Sequence, residues 1–369
     1  MKRWIKIILP ALVCVLLCGC SSLVPSEYLQ VRAHSQPQSE SVQVSAVPVE
    51  DFTSLRRAIR NFVQNGVEHG VIRAYGYDGD LKSDLNTAMH EISREDPLGA
   101  FAVDYMNYSI SRIVSYQEID IDITFRRTLQ QIKDVEYVSF MSGHETQKRV
   151  CEAIDSGLES IAFHFARYAD LDFAQMVRDY YDENPTSVLE MPSLRVTSYP
   201  ETGLSRIVEV QFDYRSSARE LAAMRQAVED NLNAAEVYVR YRENEHERAD
   251  LLFTYLSQRF TYRLGESYAP VYAFLCEGLG DSEAAAKCWQ ELCERIGLAC
   301  YTVQGTKGGT EYWWNIVRLE GQYRHVDILS DLLELGSLTK RTDAQMVGYT
   351  WDTAQFPVCQ LPVEEPTQE

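Results

Sequence analysis

Residues 274–327 change hydrophobic period once, from helical to extended, and that single change leaves few folds open. Apolar residues at Ala285, Cys288, Trp289, Leu292, Cys293 and Ile296 recur at the spacing of one helix face. Asp281 or Ser282 can cap the start of this helix, and Gly297 can close its end. Two β-rich runs follow, 299–304 and 312–319, each leading into a glycine-containing turn, and then a third at 323–327. The expected unit is one helix packed on an antiparallel meander.

The order of these parts resembles the transglutaminase-like family, which has a papain-like core. The residues that carry the resemblance are Gly280, the run Leu292-Cys293-Glu294-Arg295-Ile296-Gly297-Leu298, Gly305, Trp314-Asn315 and His325-Val326-Asp327. The family pattern is a Gly-x-Cys-x-Gly-Tyr-Ala helix start, a Leu-Gly-Ile helix end, a His-Ala-Trp-Asn strand and a Val-Asp strand end. In it the cysteine is nucleophile, the histidine its base and the aspartate the group that orients the histidine. Here Ser282 stands at the nucleophile position and Tyr312 at the base position, while Asp327 is retained. The resemblance therefore implies an α+β domain with a degenerate triad of Ser282, Tyr312 and Asp327.

The substitutions matter chemically. A helix N-terminus lowers the pKa of a thiol, and a thiol near pKa ~8.5 then ionises readily at neutral pH. A serine hydroxyl is far less acidic and needs a base within hydrogen-bond reach. Tyrosine, with a pKa of about 10, keeps its proton and is a poor acceptor. The bland reading of Ser282 is a helix cap. His325 lies two residues before Asp327, so a rescued Ser–His arrangement is one alternative. Cys276, just before the helix, is the other candidate nucleophile, whereas Cys288 falls on the apolar face and reads as a core filler.

At the other end, Lys2, Arg3 and Lys6 precede a short apolar core that finishes Leu17-Cys18-Gly19-Cys20. This reads as an export signal, too short for a confident membrane span. It resembles a bacterial lipoprotein lipobox, which implies diacylation of Cys20 and attachment to the outer face of the cytoplasmic membrane. Two acyl chains hold a protein firmly at a bilayer. The expected divisions are a signal and lipobox at 1–20, a polar tether at 21–50, a mixed α+β region at 51–244, the transglutaminase-like domain at 245–335 and a tail at 336–369.

Within 51–244 the patterning predicts a helix through Leu55, Ala58, Ile59, Phe62 and Val63 stopped by Gly66, and a second over 83–92. Strands are expected at 110–114, 119–125, 194–197 and 207–214, and helices at 150–168, 218–231 and 247–258. Ser111-Arg112-Ile113-Val114 and Ser205-Arg206-Ile207-Val208 form a weak repeat, equally compatible with a duplicated unit and with coincidence. The remaining histidines and acidic pairs lack metal-ligand spacing, and Asp78-Gly79-Asp80 lacks the later positions of a calcium loop, so neither metal nor cofactor is expected.

The formal net charge of −19 argues against nucleic acid and anionic lipid as partners. Three classes of function stay open: a lipid-anchored, catalytically inactive binding or scaffolding module for envelope proteins or peptides; an active peptidase or amide-transferring enzyme with a displaced nucleophile; and a structural spacer of the cell envelope. All three attach to the membrane through Cys20.

Overall fold

The computed structural model describes residues 46–138 and 143–360. The expected export signal, Cys20 and most of the expected tether lie outside the described residues. No helix among the described residues is long and apolar enough to cross a membrane.

The chain opens with β1 (Val47–Val49), α1 (Phe52–Gln64), β2 (His69–Ala74), α2 (Leu81–Arg94), α3 (Pro97–Ala102), β3 (Val103–Ile113) and β4 (Tyr116–Phe125). Helix α1 forms because Leu55, Ala58, Ile59, Phe62 and Val63 share one buried face and Asp51 and Ser54 close a capping box at its start. The strands make a sheet of order β1-β2-β4-β3, with β1 and β2 parallel and the other pairs antiparallel. A short helix, α4 (Leu129–Lys133), follows β4 behind a Thr128–Gln131 capping box.

The same topology is then repeated. After α4 come β5 (Glu136–Val138), α5 (Gly143–Asp155), β6 (Ser160–Phe165), α6 (Phe173–Glu183), β7 (Ser193–Tyr199) and β8 (Arg206–Asp213). Their sheet has the order β5-β6-β8-β7, again with the first pair parallel and the rest antiparallel. The small contacts repeat as well. Gly66 and Gly157 end the first helix of each copy at φ +63° and +67°, in the left-handed region that glycine enters freely. Ile123 N–H donates to Glu68 O at 2.8 Å, and Phe212 N–H donates to Glu159 O at 2.9 Å. Tyr75 N–H reaches Val49 O, and Ala166 N–H reaches Val138 O.

The chain is therefore internally duplicated, but not where the four-residue repeat points. Ser111, Arg112 and Ile113 end the third strand of the first copy, whereas Arg206, Ile207 and Val208 begin the fourth strand of the second. The shared tetrapeptide occupies non-equivalent places. The expected helix over 150–168 is also corrected. Gly157 turns the chain after α5, and Ile161, Phe163 and Phe165 then alternate inward along β6.

Helices α7 (Ala218–Val239) and α8 (Glu245–Arg259) lead into the C-terminal part. A one-turn helix Pro270–Tyr272 continues into a π-helical turn Ala273–Glu277, which Gly278 ends at φ +66°. Two two-residue strands, β9 (Arg263–Leu264) and β10 (Leu279–Gly280), pair in parallel just before α9 (Ser282–Arg295). Then β11 (Cys300–Lys307), β12 (Thr310–Leu319), β13 (Gln322–Val326) and β14 (Tyr349–Thr350) form an antiparallel sheet of order β13-β12-β11-β14. Leu292, Trp289 and Cys288 of α9 pack with Phe253 of α8, Leu232 of α7 and Val317 and Val326 of the sheet. The other face of the sheet holds Val303, Trp314 and Ile316, covered by Met346, Tyr349, Trp351 and Cys359. Residues 336–360 thus run back over the sheet.

Leu292 is fully buried, while Leu264 is 68% exposed. Leu292→Ala is expected to cost about 2–5 kcal/mol of stability, and Leu264→Ala under about 0.5 kcal/mol. Urea unfolding of the two variants measures this directly; equal losses would place α9 outside the core.

Candidate functional site

The start of α9 is set by Asp281, whose carboxylate accepts the N–H of Ala284 at 2.9 Å. Ser282 is therefore not the cap but the first helical residue, half-buried, and its Oγ accepts the N–H of Trp313 at 3.2 Å. That bond pins the helix start to β12 at the residue after Tyr312. Lys307, at the end of β11, was not legible as a site residue, yet it reaches the same neighbourhood. Gly305 lets β14 and the Trp314 ring approach β11 closely: a Cβ there would lie 2.2 Å from Thr350 O and 2.7 Å from the Trp314 ring.

Asp327, at the end of β13, is fully buried and heavily engaged. Its Oδ1 accepts from Tyr312 Oη at 3.0 Å and from Ser330 N–H at 3.1 Å. Its Oδ2 accepts from Lys307 Nζ at 3.0 Å and from Tyr349 Oη at 2.5 Å. Lys307 also donates to Ser330 Oγ, and its ammonium lies 4.7 Å from the Tyr312 ring centre and 5.2 Å from that of Tyr349. Asp327 gathers three side chains, from β11, β12 and β14. Tyr312 and Asp327 are brought together, and Ser282 stands beside them through the Trp313 backbone without a hydrogen bond to either.

Burial alone would raise the Asp327 carboxyl, but Tyr349, the charge of Lys307 and the Ser330 N–H outweigh it and hold the group below its usual range. Burial would lower Lys307, but Asp327 overrides it and keeps the amine protonated. Burial and the adjacent carboxylate push both Tyr312 and Tyr349 up, so both phenols keep their protons. The cluster holds donors around one anion, and none of its donors is positioned to take a proton from Ser282.

His325 does not rescue the site. It pairs with Ile316 across β12 and β13, on the face opposite Asn315, whose amide donates to Ala286 O of α9. Its Nδ1 accepts from Trp314 Nε1 at 3.0 Å and its Nε2 faces Asp343 Oδ1 at 2.8 Å. Burial lowers its pKa, so the ring is neutral at pH 7. The nitrogen and oxygen atoms of His325 and Asp343 and the Cys359 sulfur lie within 4.8 Å of one another, a grouping that spacing in the sequence could not show. It does not suit a metal. An indole N–H can only donate, so Nδ1 is the bare nitrogen and Nε2 carries the proton that goes to Asp343. A ligating histidine has the reverse arrangement, with its second nitrogen donating outward. The trio is a hydrogen-bonded relay, completed by the Cys359 N–H donating to Asp343 at 3.2 Å.

Cys276 lies in the π-helical turn, where burial pushes its thiol up to about 11 and Asn231 Nδ2 contacts its sulfur at 3.4 Å. A thiol in such a place is mostly un-ionised at neutral pH. Cys288 is fully buried and faces Val271 O.

The approach to α9 is also occupied. Lys287, almost fully buried, bridges Glu283 at 2.8 Å and Asp182 of α6 at 2.9 Å. Its ammonium sits 5.1 Å from the Tyr181 ring and 5.8 Å from the Trp313 ring. The second copy of the duplicated unit thus closes over the helix one turn beyond Ser282.

The folded-state pKa of Asp327 is depressed, so its contribution to stability is present above the ordinary carboxyl value of about 4 and is lost as pH falls through the folded value. Asp327→Asn is expected to cost about 3 kcal/mol at neutral pH. The gap between variant and wild type should shrink as the medium is acidified from about pH 4. Urea denaturation at several pH values tests the sign: a gap that widens in acid contradicts the assignment.

Against this geometry, residues 233–328 match the family model described as the Transglutaminase-like superfamily. No curated protein matches the chain. Among solved structures, one described as a TGase is 10% identical, covers 54% of this chain and 56% of its own, and has a TM-score of 0.25. A "Putative Cysteine Protease" from Cytophaga hutchinsonii is 10% identical over 43% of this chain and 70% of its own, with a TM-score of 0.24. A "putative protease" from Parabacteroides distasonis is 7% identical over 70% of this chain and 39% of its own, with a TM-score of 0.22. The chain spans just over half the length of the first of these. The family match covers α9 and the three strands that bear Ser282, Tyr312 and Asp327, so residues 233–328 of this α+β chain form a domain of the transglutaminase-like superfamily.

Proposed function

We propose that this is an exported, lipid-anchored protein of the bacterial cell envelope whose transglutaminase-like domain does not catalyse acyl transfer and serves as a binding or scaffolding module for envelope proteins or peptides. The observation that supports it most is the state of Asp327. In an acyl-transferring triad the carboxylate holds a base, and the base takes the nucleophile's proton. Here the carboxylate is shared by Tyr312, Tyr349, Lys307 and the Ser330 N–H, all of them donors. Ser282 has a far less acidic group than a thiol, and its Oγ already accepts the Trp313 N–H. Nucleophile and base act as a unit, so the absence of either removes most of the rate.

The displaced-nucleophile reading needs an ionised cysteine. Burial pushes Cys151 and Cys276 up to about 11 and Cys359 to about 12. Alkylation by iodoacetamide is expected to be slow for Cys151, Cys276 and Cys359 at pH 7, with no cleavage or transamidation of a glutamine-containing peptide. Rapid labelling of Cys276 below pH 7, with peptide turnover abolished in Cys276→Ala, would overturn the inactive reading and move the active site.

Lipid anchoring is supported by the Leu17-Cys18-Gly19-Cys20 sequence. Cys20→Ala is expected to release the protein from the membrane fraction or leave the signal uncleaved. A variant that is processed and anchored like wild type removes the lipobox from the argument.

A further inference from the structure

The duplicated units differ at one place that opens a cavity. In the first copy, Thr128 caps α4 and Leu129 opens it; a Cβ built on Gly66 would lie 3.0 Å from the Leu129 side chain. In the second copy, Ser217 caps α7 through the same kind of capping box, and the residue that opens the helix is Ala218. Nothing lies within 4 Å of the corresponding position on Gly157. A cavity of about 620 Å³ occupies this side of β6, β8 and α7, bordered by Gly157, Val188, Glu190, Phe212, Ala218 and Arg225. That volume falls in the range of about 300–1,000 Å³ usual for small-molecule sites.

Its charges are sorted in a telling way. Glu209 is paired with Arg127 at 2.6 Å, and Asp213 with Arg195 at 3.6 Å. Glu190 is 3% exposed, and its carboxylate accepts the backbone N–H groups of Arg215 and Ser216 with no cation in ion-pair contact among the described residues. Arg225 is half-buried and forms neither a hydrogen bond nor an ion pair among the described residues. Arg127 Nε is buried with no partner. One carboxylate without a counter-cation and two guanidinium groups with unspent donors therefore border a wall containing Val188, Phe212 and Leu221. Buried charge in this condition is costly unless a partner completes it.

We propose that the second copy binds a short peptide with free termini, or an amino acid of the same zwitterionic kind, in this cavity. The ligand's ammonium group faces Glu190, its carboxylate faces Arg225 and Arg127, and an apolar side chain lies against Val188, Phe212 and Leu221. The site is separate from Ser282, Tyr312 and Asp327, none of which borders the cavity, so it stands whether or not the transglutaminase-like domain turns over a substrate.

Isothermal titration calorimetry on the full-length chain tests this with the tripeptide Ala-Leu-Ala and its N-acetylated, C-amidated form. The free tripeptide is expected to bind at least tenfold more tightly than the blocked one. Arg225→Gln should remove that preference, weakening the free form about tenfold while leaving the blocked form unchanged. Ala218→Leu, which restores the side chain that the first copy carries, should abolish binding of both while the melting temperature is kept or raised. Absence of heat with the wild type, equal affinity for the two peptides, or undiminished binding by Ala218→Leu would each overturn the proposal. Should Ala218→Leu fail to fold, the Arg225→Gln comparison decides alone.

Discussion

A single buried carboxylate holds the C-terminal sheet closed. Asp327 receives Lys307 from β11, Tyr312 from β12 and Tyr349 from β14, and it caps the turn Ile328–Ser330 with its own side chain. Three strands and a helical turn therefore share one anion. Desolvating a carboxylate costs several kcal/mol, and only an ion pair with satisfied hydrogen bonds offsets this. Lys307 supplies the charge, and the two phenols and the Ser330 N–H supply the remaining donors. Removing the aspartate would leave all of them facing one another, which explains on packing grounds alone why an acid stands here.

The parts of this domain that could be read from sequence are those in which local period and burial agree. Helix α9 and strands β11 to β13 follow from the switch between helical and alternating apolar spacing, because each element has one face on the core. Tyr312 and Asp327 are placed by the resemblance to the transglutaminase-like pattern, not by period, and Asp327 stands just past β13 as the cap of the turn Ile328–Ser330. Lys307 and Tyr349 could not be placed by either. They meet through the pairing of β11 with β14, which joins residues 42 positions apart through a two-residue strand with no period of its own. The cap of α9 was legible only as a choice between neighbours, since Asp281 and Ser282 have similar capping chemistry. The helix expected over 150–168 failed because it runs across Gly157, which ends α5, while the apolar residues from Ile161 onward alternate with the period of a strand.

The duplication shows which physical features withstand sequence divergence and which do not. Both copies keep a left-handed glycine after the first helix, an aspartate capping the second and the order of their four strands. Each of these is a backbone requirement that many side-chain sets satisfy. What differs is the end of the unit. In the first copy the closing helix stops at Lys133; in the second it runs on for 22 residues and delivers Leu232, Ala235 and Val239 to the core around α9. The second copy is thereby built into the transglutaminase-like domain, with Lys287 and Asp182 as a further tie. Its cavity lies at the start of that shared helix.

The same residues that stabilise the site are what support the proposal that it does not catalyse acyl transfer. Catalysis by a triad needs an acceptor between the acid and the nucleophile, a group that is bare in the resting state and charged in the transition state. The phenol of Tyr312 keeps its proton and donates it in a hydrogen bond to Asp327; the ammonium of Lys307 has nothing to accept with. Burial and the buried anion raise the phenol, and that anion outweighs burial to hold the amine protonated, so a change toward neutral or mildly alkaline pH does not free either. A network satisfied this fully in its ground state has no unmet hydrogen bond for a transition state to complete, and differential stabilisation of that kind is what a catalytic site must offer.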